Sequence, residues 1–118
     1  MPYTLKKYSF QLPIVHGGAV VNSGIKNTEN IAGVLKKIKI ITPATVDGSA
    51  TVTINIKDSD GDVIWTKTGI AANTRSINLL TRDQEVPFVG IHSIQAVFSA
   101  VQDTTDSTTT VILIVDTK

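Results

Sequence analysis

One segment constrains the fold more than any other: residues 49–68, SATVTINIKDSDGDVIWTKT. Its first half alternates apolar and polar residues with a period of two, the pattern of a β-strand with one face in a core and one in water. Its second half carries the only tryptophan, Trp65. Between the halves, Asp60 and Gly61 are residue types that form tight hairpin turns. The segment therefore predicts a β-hairpin that belongs to the main core.

The rest of the chain has the same character. Of 118 residues, 13 are valine, 15 isoleucine and 16 threonine, whereas glutamate occurs only twice. Such β-branched residues favour strands over helices. Short apolar alternations separated by turn residues predict an all-β fold, an antiparallel β-sandwich of about seven or eight strands. Jelly-roll and immunoglobulin-like topologies both fit this pattern.

Four parts of the chain carry more specific expectations. Lys36 interrupts the inward pattern of its strand, so that either the strand begins later or a bulge lets this lysine reach solvent. The polar residues 22–30 predict a surface loop, and residues 102–110 predict a long turn or loop tip. Residues 111–115 are continuously apolar, which predicts a strand that is covered on both faces or shared with another subunit.

Length and residue content also indicate organisation and location. We predict a single domain over residues 1–118, with residues 1–30 as an extended N-terminal arm followed by a loop. The chain has no cysteine, so it forms neither disulfides nor thiolate metal sites. No signal-peptide core and no apolar run of about 18 residues is present. We expect assembly in the cytoplasm and no membrane partner.

Charge is divided unevenly along the chain. Residues 1–39 hold six lysines and one glutamate, for a net charge of +5, whereas the remainder carries −4. These lysines either solvate exposed strands and protect their edges or bind a partner. A nucleic acid is not the expected partner, because arginine is nearly absent here and no aromatic-rich basic motif accompanies the lysines. As an interface with another protein we therefore propose five of them: Lys6, Lys7, Lys36, Lys37 and Lys39.

The acids of the predicted hairpin turn are weak candidates for a metal site. Asp58, Asp60 and Asp62 are spaced like the first ligands of a calcium loop. That loop needs glycine at its sixth position and glutamate at its twelfth, whereas here Gly61 is fourth and Gly69 is twelfth. A hairpin turn without a bound ion is the favoured interpretation.

No motif in the chain predicts catalysis. Nucleophile-elbow, phosphate-binding and zinc-protease patterns are all absent from the sequence. The two histidines, His16 and His92, have no local partners that would form a relay or a metal site, and His92 is most simply a surface residue at a strand end. We therefore predict no enzymatic activity, no catalytic residues and no cofactor.

A carbohydrate-binding module is an alternative, because sandwich domains stack sugars on exposed aromatic rings. Trp65, Tyr3 and Tyr8 are the residues that suggest it. The chain has only six aromatic residues, and a core of this size uses most of them for packing. Packing is therefore the favoured role of these rings.

The order of motifs resembles that of a known class of proteins. KKIKIITPATVDGSATVTINIKDSDGDVIWTKTGIAANTRSINL, followed by VPFVGIHSIQAVFSA and a threonine-rich turn, covers residues 36–115. It resembles small β-sandwich virion proteins of tailed bacteriophages, in particular capsid decoration or head-associated proteins. The resemblance implies a non-enzymatic, homo-oligomeric protein, often trimeric, that binds the major capsid protein or another virion protein. A tail or baseplate component is a further alternative.

Overall fold

Nine strands form in the described part of the chain. The computed structural model describes residues 5–14, 23–28, 31–44, 50–80, 86–99 and 107–116. The strands are β1 (Leu5–Ile14), β2 (Ser23–Asn27), β3 (Ile31–Ile41), β4 (Val52–Lys57), β5 (Val63–Ile70), β6 (Arg75–Leu79), β7 (Val86–Gly90), β8 (Ser93–Phe98) and β9 (Ser107–Asp116). No helix long and apolar enough to cross a membrane occurs among these described residues.

The strand pairs are nested, as in one long hairpin. β1 pairs with β9, β2 with β8, β3 with both β7 and β6, and β4 with β5, all antiparallel. The turn between β4 and β5 is the tip of this hairpin. The hairpin is then rolled up, because β9 also pairs with β3 and β8 also pairs with β4. This arrangement is a jelly roll, the first of the two topologies that fit the sequence.

Two sheets result. One has the order β1-β9-β3-β6 with β7 also on β3, and the other has the order β2-β8-β4-β5. β6 lies beside residues 37–41 of β3 and β7 beside residues 31–35, so these two strands share one edge. β6 and β7 therefore share one strand position of the sandwich, so that the nine strands occupy eight positions. The predicted all-β antiparallel sandwich is confirmed.

The core lies between the sheets and contains residues of both. From the four-stranded sheet, alternate residues of β4 and β8 are fully buried, which confirms the alternation predicted for β4. From the five-stranded sheet, β1, β3 and β9 also contribute buried residues, although those of β3 do not alternate strictly. Each large aliphatic side chain contributes on the order of 1.5 to 3 kcal/mol by leaving water. The largest fully buried side chains are Phe98, Leu12, Ile31, Leu35, Ile38, Ile40, Ile54, Ile56, Ile94 and Leu113.

Two segments expected to be irregular are strands in their described parts. Within residues 22–30, Ser23–Asn27 forms β2, a short edge strand whose one partner among the described strands is β8. An edge strand needs little apolar surface of its own, so the polar composition of this segment wrongly predicted a loop. Within residues 102–110, Ser107 already begins β9, and Thr109 is fully buried. Residues 102–106 lie outside the described part of the chain.

The N-terminal 30 residues contribute at least two strands, β1 and β2. β1 continues through Pro13 to Ile14. A missing amide donor is tolerated there because β1 is at the edge of its sheet and, in the described part of the chain, pairs with β9 alone. Residues 15–22 lie outside the described part, and the interpretation of residues 1–30 as an arm with a loop stays a prediction.

β3 and β9 approach each other closely at Gly33. A Cβ atom at this position would lie 2.5 Å from the carbonyl oxygen of Asp116 and 2.8 Å from Cγ1 of Val115. No other residue type fits without moving one of the two strands. Gly33 therefore permits the β3·β9 pairing near the end of the sheet.

Candidate protein interface

β9 presents apolar side chains on both of its faces. Val111, Leu113 and Val115 are fully buried in the core. Because successive residues of a strand point to opposite sides, Ile112 and Ile114 lie on the outer face of the five-stranded sheet. A sheet face intended for water carries polar residues at such positions. The outer face of this sheet is therefore a candidate contact surface.

Neighbouring strands add lysines around these isoleucines. In the register of the sheet, Lys7 lies opposite Ile114 and Ile114 opposite Lys37, while Ile112 lies between Ser9 and Lys39. β6 completes the second row, with Ile77 beside Lys39. Six residues line one concavity of about 240 Å³, and we call them the lysine–isoleucine face: Lys7, Lys37, Lys39, Ile77, Ile112 and Ile114.

A β-bulge at Lys36 orients two of these lysines. The β3·β9 register shifts between Leu35 and Lys37, so the bulge predicted at Lys36 is present. Leu35 is fully buried, and strict alternation would turn Lys37 toward the core as well. The extra residue reverses the alternation, so that Lys37 and Lys39 lie on the outer face. The Lys36 carbonyl accepts a hydrogen bond from the Leu80 N–H at 3.0 Å.

Of the five lysines predicted as an interface, the structure brings three together. Lys7, Lys37 and Lys39 share the lysine–isoleucine face. Lys36 is half-buried at the bulge. Lys6 lies on the other side of β1, with its Nζ 5.3 Å from the centroid of the Tyr8 ring, a cation–π distance.

The rim of the lysine–isoleucine face exposes further apolar surface. Ile77 is 61% exposed on β6, and Leu5, on the same side of β1 as Lys7, is 58% exposed. Besides the lysines, the continuous apolar run of residues 111–115 indicated this surface in the sequence. The second interpretation of residues 111–115, as a strand shared with another subunit, stays a prediction.

The outer face of the four-stranded sheet is different in character. The Thr66 hydroxyl donates to Oδ1 of Asn55 at 2.7 Å, and Nδ2 of Asn55 donates to Oε1 of Gln95 at 3.4 Å. Three adjacent strands are thus joined by a polar ladder, as expected for a surface in water. Among the described residues of this sheet, the strongly exposed large hydrophobic residue is Val63, which lies opposite Lys57 beside the β4–β5 turn.

One of the three acids of the β4–β5 turn, Asp58, stabilises the turn itself. Oδ1 of Asp58 accepts the backbone N–H groups of Asp60 and Asp62, both at 3.0 Å. Gly61 has φ 89°, a left-handed conformation that suits glycine. Within the described ranges, no group of three His, Cys, Asp or Glu side chains is placed to hold a metal ion. Asp60 and Asp62 are exposed at the tip.

His92 is not the surface residue that the sequence suggests. It is 4% exposed, and its backbone N–H donates to Oγ1 of Thr28 at 2.9 Å. The Thr28 N–H donates in return to the His92 carbonyl at 2.7 Å. His92 therefore connects the end of β2 to the start of β8. His16 lies outside the described residues.

The aromatic side chains that the structure describes pack against the core. Phe98 is fully buried and Tyr8 is 9% exposed. Trp65 lies opposite Ile56 on β4 and, like Phe10, is half-buried against the core cluster. This packing accounts for Trp65 without a bound sugar. Tyr3 lies outside the described residues.

Comparison with known proteins gives no family. No family model matches the chain, and no curated protein is similar to it in sequence. Among solved structures, it is similar to dimeric latent PorU from Porphyromonas gingivalis, with 11% identity, a TM-score of 0.46, and coverage of 95% of this chain and 13% of that one.

Viral capsid proteins are also among the structural neighbours. For the VP2 subviral particle of infectious bursal disease virus, the identity is 12%, the TM-score 0.44, and the coverage 95% of this chain and 33% of that one. For the extra small virus of the prawn Macrobrachium rosenbergii, the identity is 8%, the TM-score 0.36, and the coverage 100% of this chain and 85% of that one. The chain thus spans a third or less of the length of PorU and VP2.

Proposed function

We propose that this protein is a non-enzymatic structural protein of a virion, and that it acts by binding other proteins through the lysine–isoleucine face. The observation that carries the proposal is the contrast between the two outer sheet faces. On one, lysines flank the exposed Ile77 and the half-buried Ile112 and Ile114. On the other, a hydrogen-bonded polar ladder joins three strands. Exposed apolar patches with charged rims are typical of surfaces that bind proteins.

The interior supports a role without a bound substrate. Jelly rolls occur in viral capsid proteins, lectins and cupins, so the fold alone does not select among these. Here the space between the sheets is filled by large, fully buried aliphatic and aromatic side chains. The surface is then the part of the described molecule on which function depends.

Within the virion, we propose a capsid decoration or stabilising protein of a tailed bacteriophage, as the sequence resemblance implies. The major capsid protein is the proposed partner, and a homo-oligomer such as a trimer is the proposed state. A tail or baseplate location is the second candidate. Immunogold labelling of purified particles distinguishes label on the head from label on the tail, and particles that lack the protein would refute both.

Reversing charge on the face is expected to abolish particle binding. Lys37→Glu with Lys39→Glu places carboxylates beside Ile112, and mismatched charges at an interface weaken binding on the order of 100-fold. Both side chains lie on the outer face, so the circular dichroism spectrum should stay unchanged. Co-sedimentation with particles measures the loss.

A matched control makes the same charge change on the other sheet. Lys26→Glu with Lys57→Glu alters β2 and β4, outside the lysine–isoleucine face. This control should bind particles as the natural protein does. Equal binding by both double variants would contradict the proposed face.

Substitution of Trp65 tests the carbohydrate-binding alternative. Because Trp65 is half-buried against the core, Trp65→Ala is expected to lower the free energy of unfolding by about 1 to 2 kcal/mol. Urea denaturation measures this change. Glycan-array binding by the natural protein that disappears in a folded Trp65→Ala variant would instead support a carbohydrate-binding module.

A further inference from the structure

We propose that the lysine–isoleucine face of one copy binds the β4–β5 turn of a second copy, so that the chain assembles head to tail. The proposal rests on the proposed function, because it assigns a partner to the same face. It names a second copy of this chain as that partner. The surface that docks is the acidic tip, defined as Asp58, Asp60, Asp62, Val63 and Ile91.

The acidic tip combines carboxylates with exposed apolar side chains. Asp60, Asp62 and Val63 follow one another around the turn, and all are exposed. Ile91, from the connection between β7 and β8, borders the same concavity as Asp58. Val63 and Ile91 are each 51% exposed. Lys57 lies opposite Val63, but the three carboxylates outnumber it. The tip is therefore an apolar surface with net negative charge, which complements the lysine–isoleucine face.

Exposed apolar residues mark the same two places. The described part of the chain has four large hydrophobic residues that are strongly exposed. Leu5 and Ile77 are at the lysine–isoleucine face and its rim, and Val63 and Ile91 are at the acidic tip. Pairing tip with face would cover apolar surface on both copies while opposite charges meet.

Charge excludes the symmetric alternative in which two lysine–isoleucine faces pack on each other. Lys7, Lys37 and Lys39 of both copies would then meet, and like charges at an interface are costly. Asp116 is on the same outer side of β9 but is only 8% exposed. A contact between two different patches is heterologous, so it continues from copy to copy and closes only as a ring.

Each contact is expected to be weak. A hairpin tip on a shallow concavity buries less than the roughly 1,200 Å² of a standard interface. Repetition around a ring or on a particle strengthens such contacts, because later contacts form between copies that are already held together. Exposed charges are screened by salt, with a Debye length of about 10 Å at 0.1 M. Association should therefore increase with protein concentration and decrease with salt.

Complementary variants test the proposal. The face variant, Lys37→Glu with Lys39→Glu, reverses charges on the lysine–isoleucine face. The tip variant, Asp60→Lys with Asp62→Lys, reverses charges on the acidic tip. Asp58 is kept because its carboxylate holds the turn. In analytical ultracentrifugation at low salt, we expect each variant alone to lose self-association by about tenfold or more relative to the natural protein.

Mixing the two variants is the decisive step. A natural tip on the face variant can dock on the natural face of the tip variant, and the carboxylates of the altered face also complement the ammonium groups of the altered tip. The equimolar mixture should therefore regain the self-association that each variant alone has lost. Circular dichroism of each variant checks that it is folded. A natural protein that stays monomeric, variants that associate as it does, or a mixture that stays monomeric would each overturn the proposal.

The proposed function can be judged separately. If the face variant loses binding to particles while the natural protein is monomeric at every concentration, the face binds a different protein and only the second-copy proposal is wrong. If the face variant binds particles normally, the proposed function is wrong, whatever the state of association.

Discussion

Truncation of Leu113 to alanine is expected to lower the free energy of unfolding by about 2 to 5 kcal/mol, because a fully buried leucine leaves a cavity when it is shortened. The next residue gives the matched control. Ile114 is on the outer face of the same strand, and Ile114→Thr keeps a β-branched side chain, so it should cost about 1 kcal/mol or less. Urea denaturation measures both changes.

The same pair also separates stability from binding. Ile114→Thr removes apolar surface from the lysine–isoleucine face and should weaken particle binding while the fold persists. Leu113→Ala should bind normally in conditions where it is folded. A larger loss of stability from Ile114→Thr than from Leu113→Ala would mean that β9 has the opposite orientation in the sheet.

Substitution of Gly33 by valine is expected to cost about 3 kcal/mol, near the upper end for overpacked sites. Even the first added carbon would lie 2.5 Å from the Asp116 carbonyl oxygen, so β3 and β9 must separate locally. The melting temperature should fall by roughly 10 °C or more, since about 1 kcal/mol corresponds to a few degrees in a domain of this size.

The neighbouring residue provides the control for Gly33. Ala32 is in the same strand but exposed, so Ala32→Val should change the melting temperature little. Differential scanning calorimetry of both variants gives the comparison. Equal melting temperatures for Gly33→Val and the natural protein would show that β3 and β9 are farther apart at this end of the sheet.

Local sequence patterns predicted strands where one face is buried. β4 and β8 alternate strictly, and their apolar residues are those that fill the core. The pattern failed at β2, because an edge strand with few core contacts does not need apolar residues. The choice between jelly-roll and immunoglobulin-like topology could not be predicted from the sequence. The pairing of distant strands leaves no local signal, and both topologies show the same alternation of apolar and polar residues.

The candidate interface was only partly predictable, for a similar reason. Lysine content indicated the N-terminal third of the chain, but the bulge at Lys36 decides which way Lys37 and Lys39 point. Ile77 joins them only because β6 pairs with β3. A surface built from four strands depends on register, and register depends on pairings that span the whole chain.

The nested pairing of the strands also sets an order for folding. The β4·β5 pair needs only a short turn to close, whereas β1 and β9 are the first and last of the described strands. Loop closure costs more entropy as the loop lengthens, and pairings between distant segments form slowly. β1 is thus expected to join last. Until β1 has paired with β9 of its own copy, it can pair instead with β9 of a neighbouring copy. A high local protein concentration is therefore expected to favour the exchange of β1 between copies.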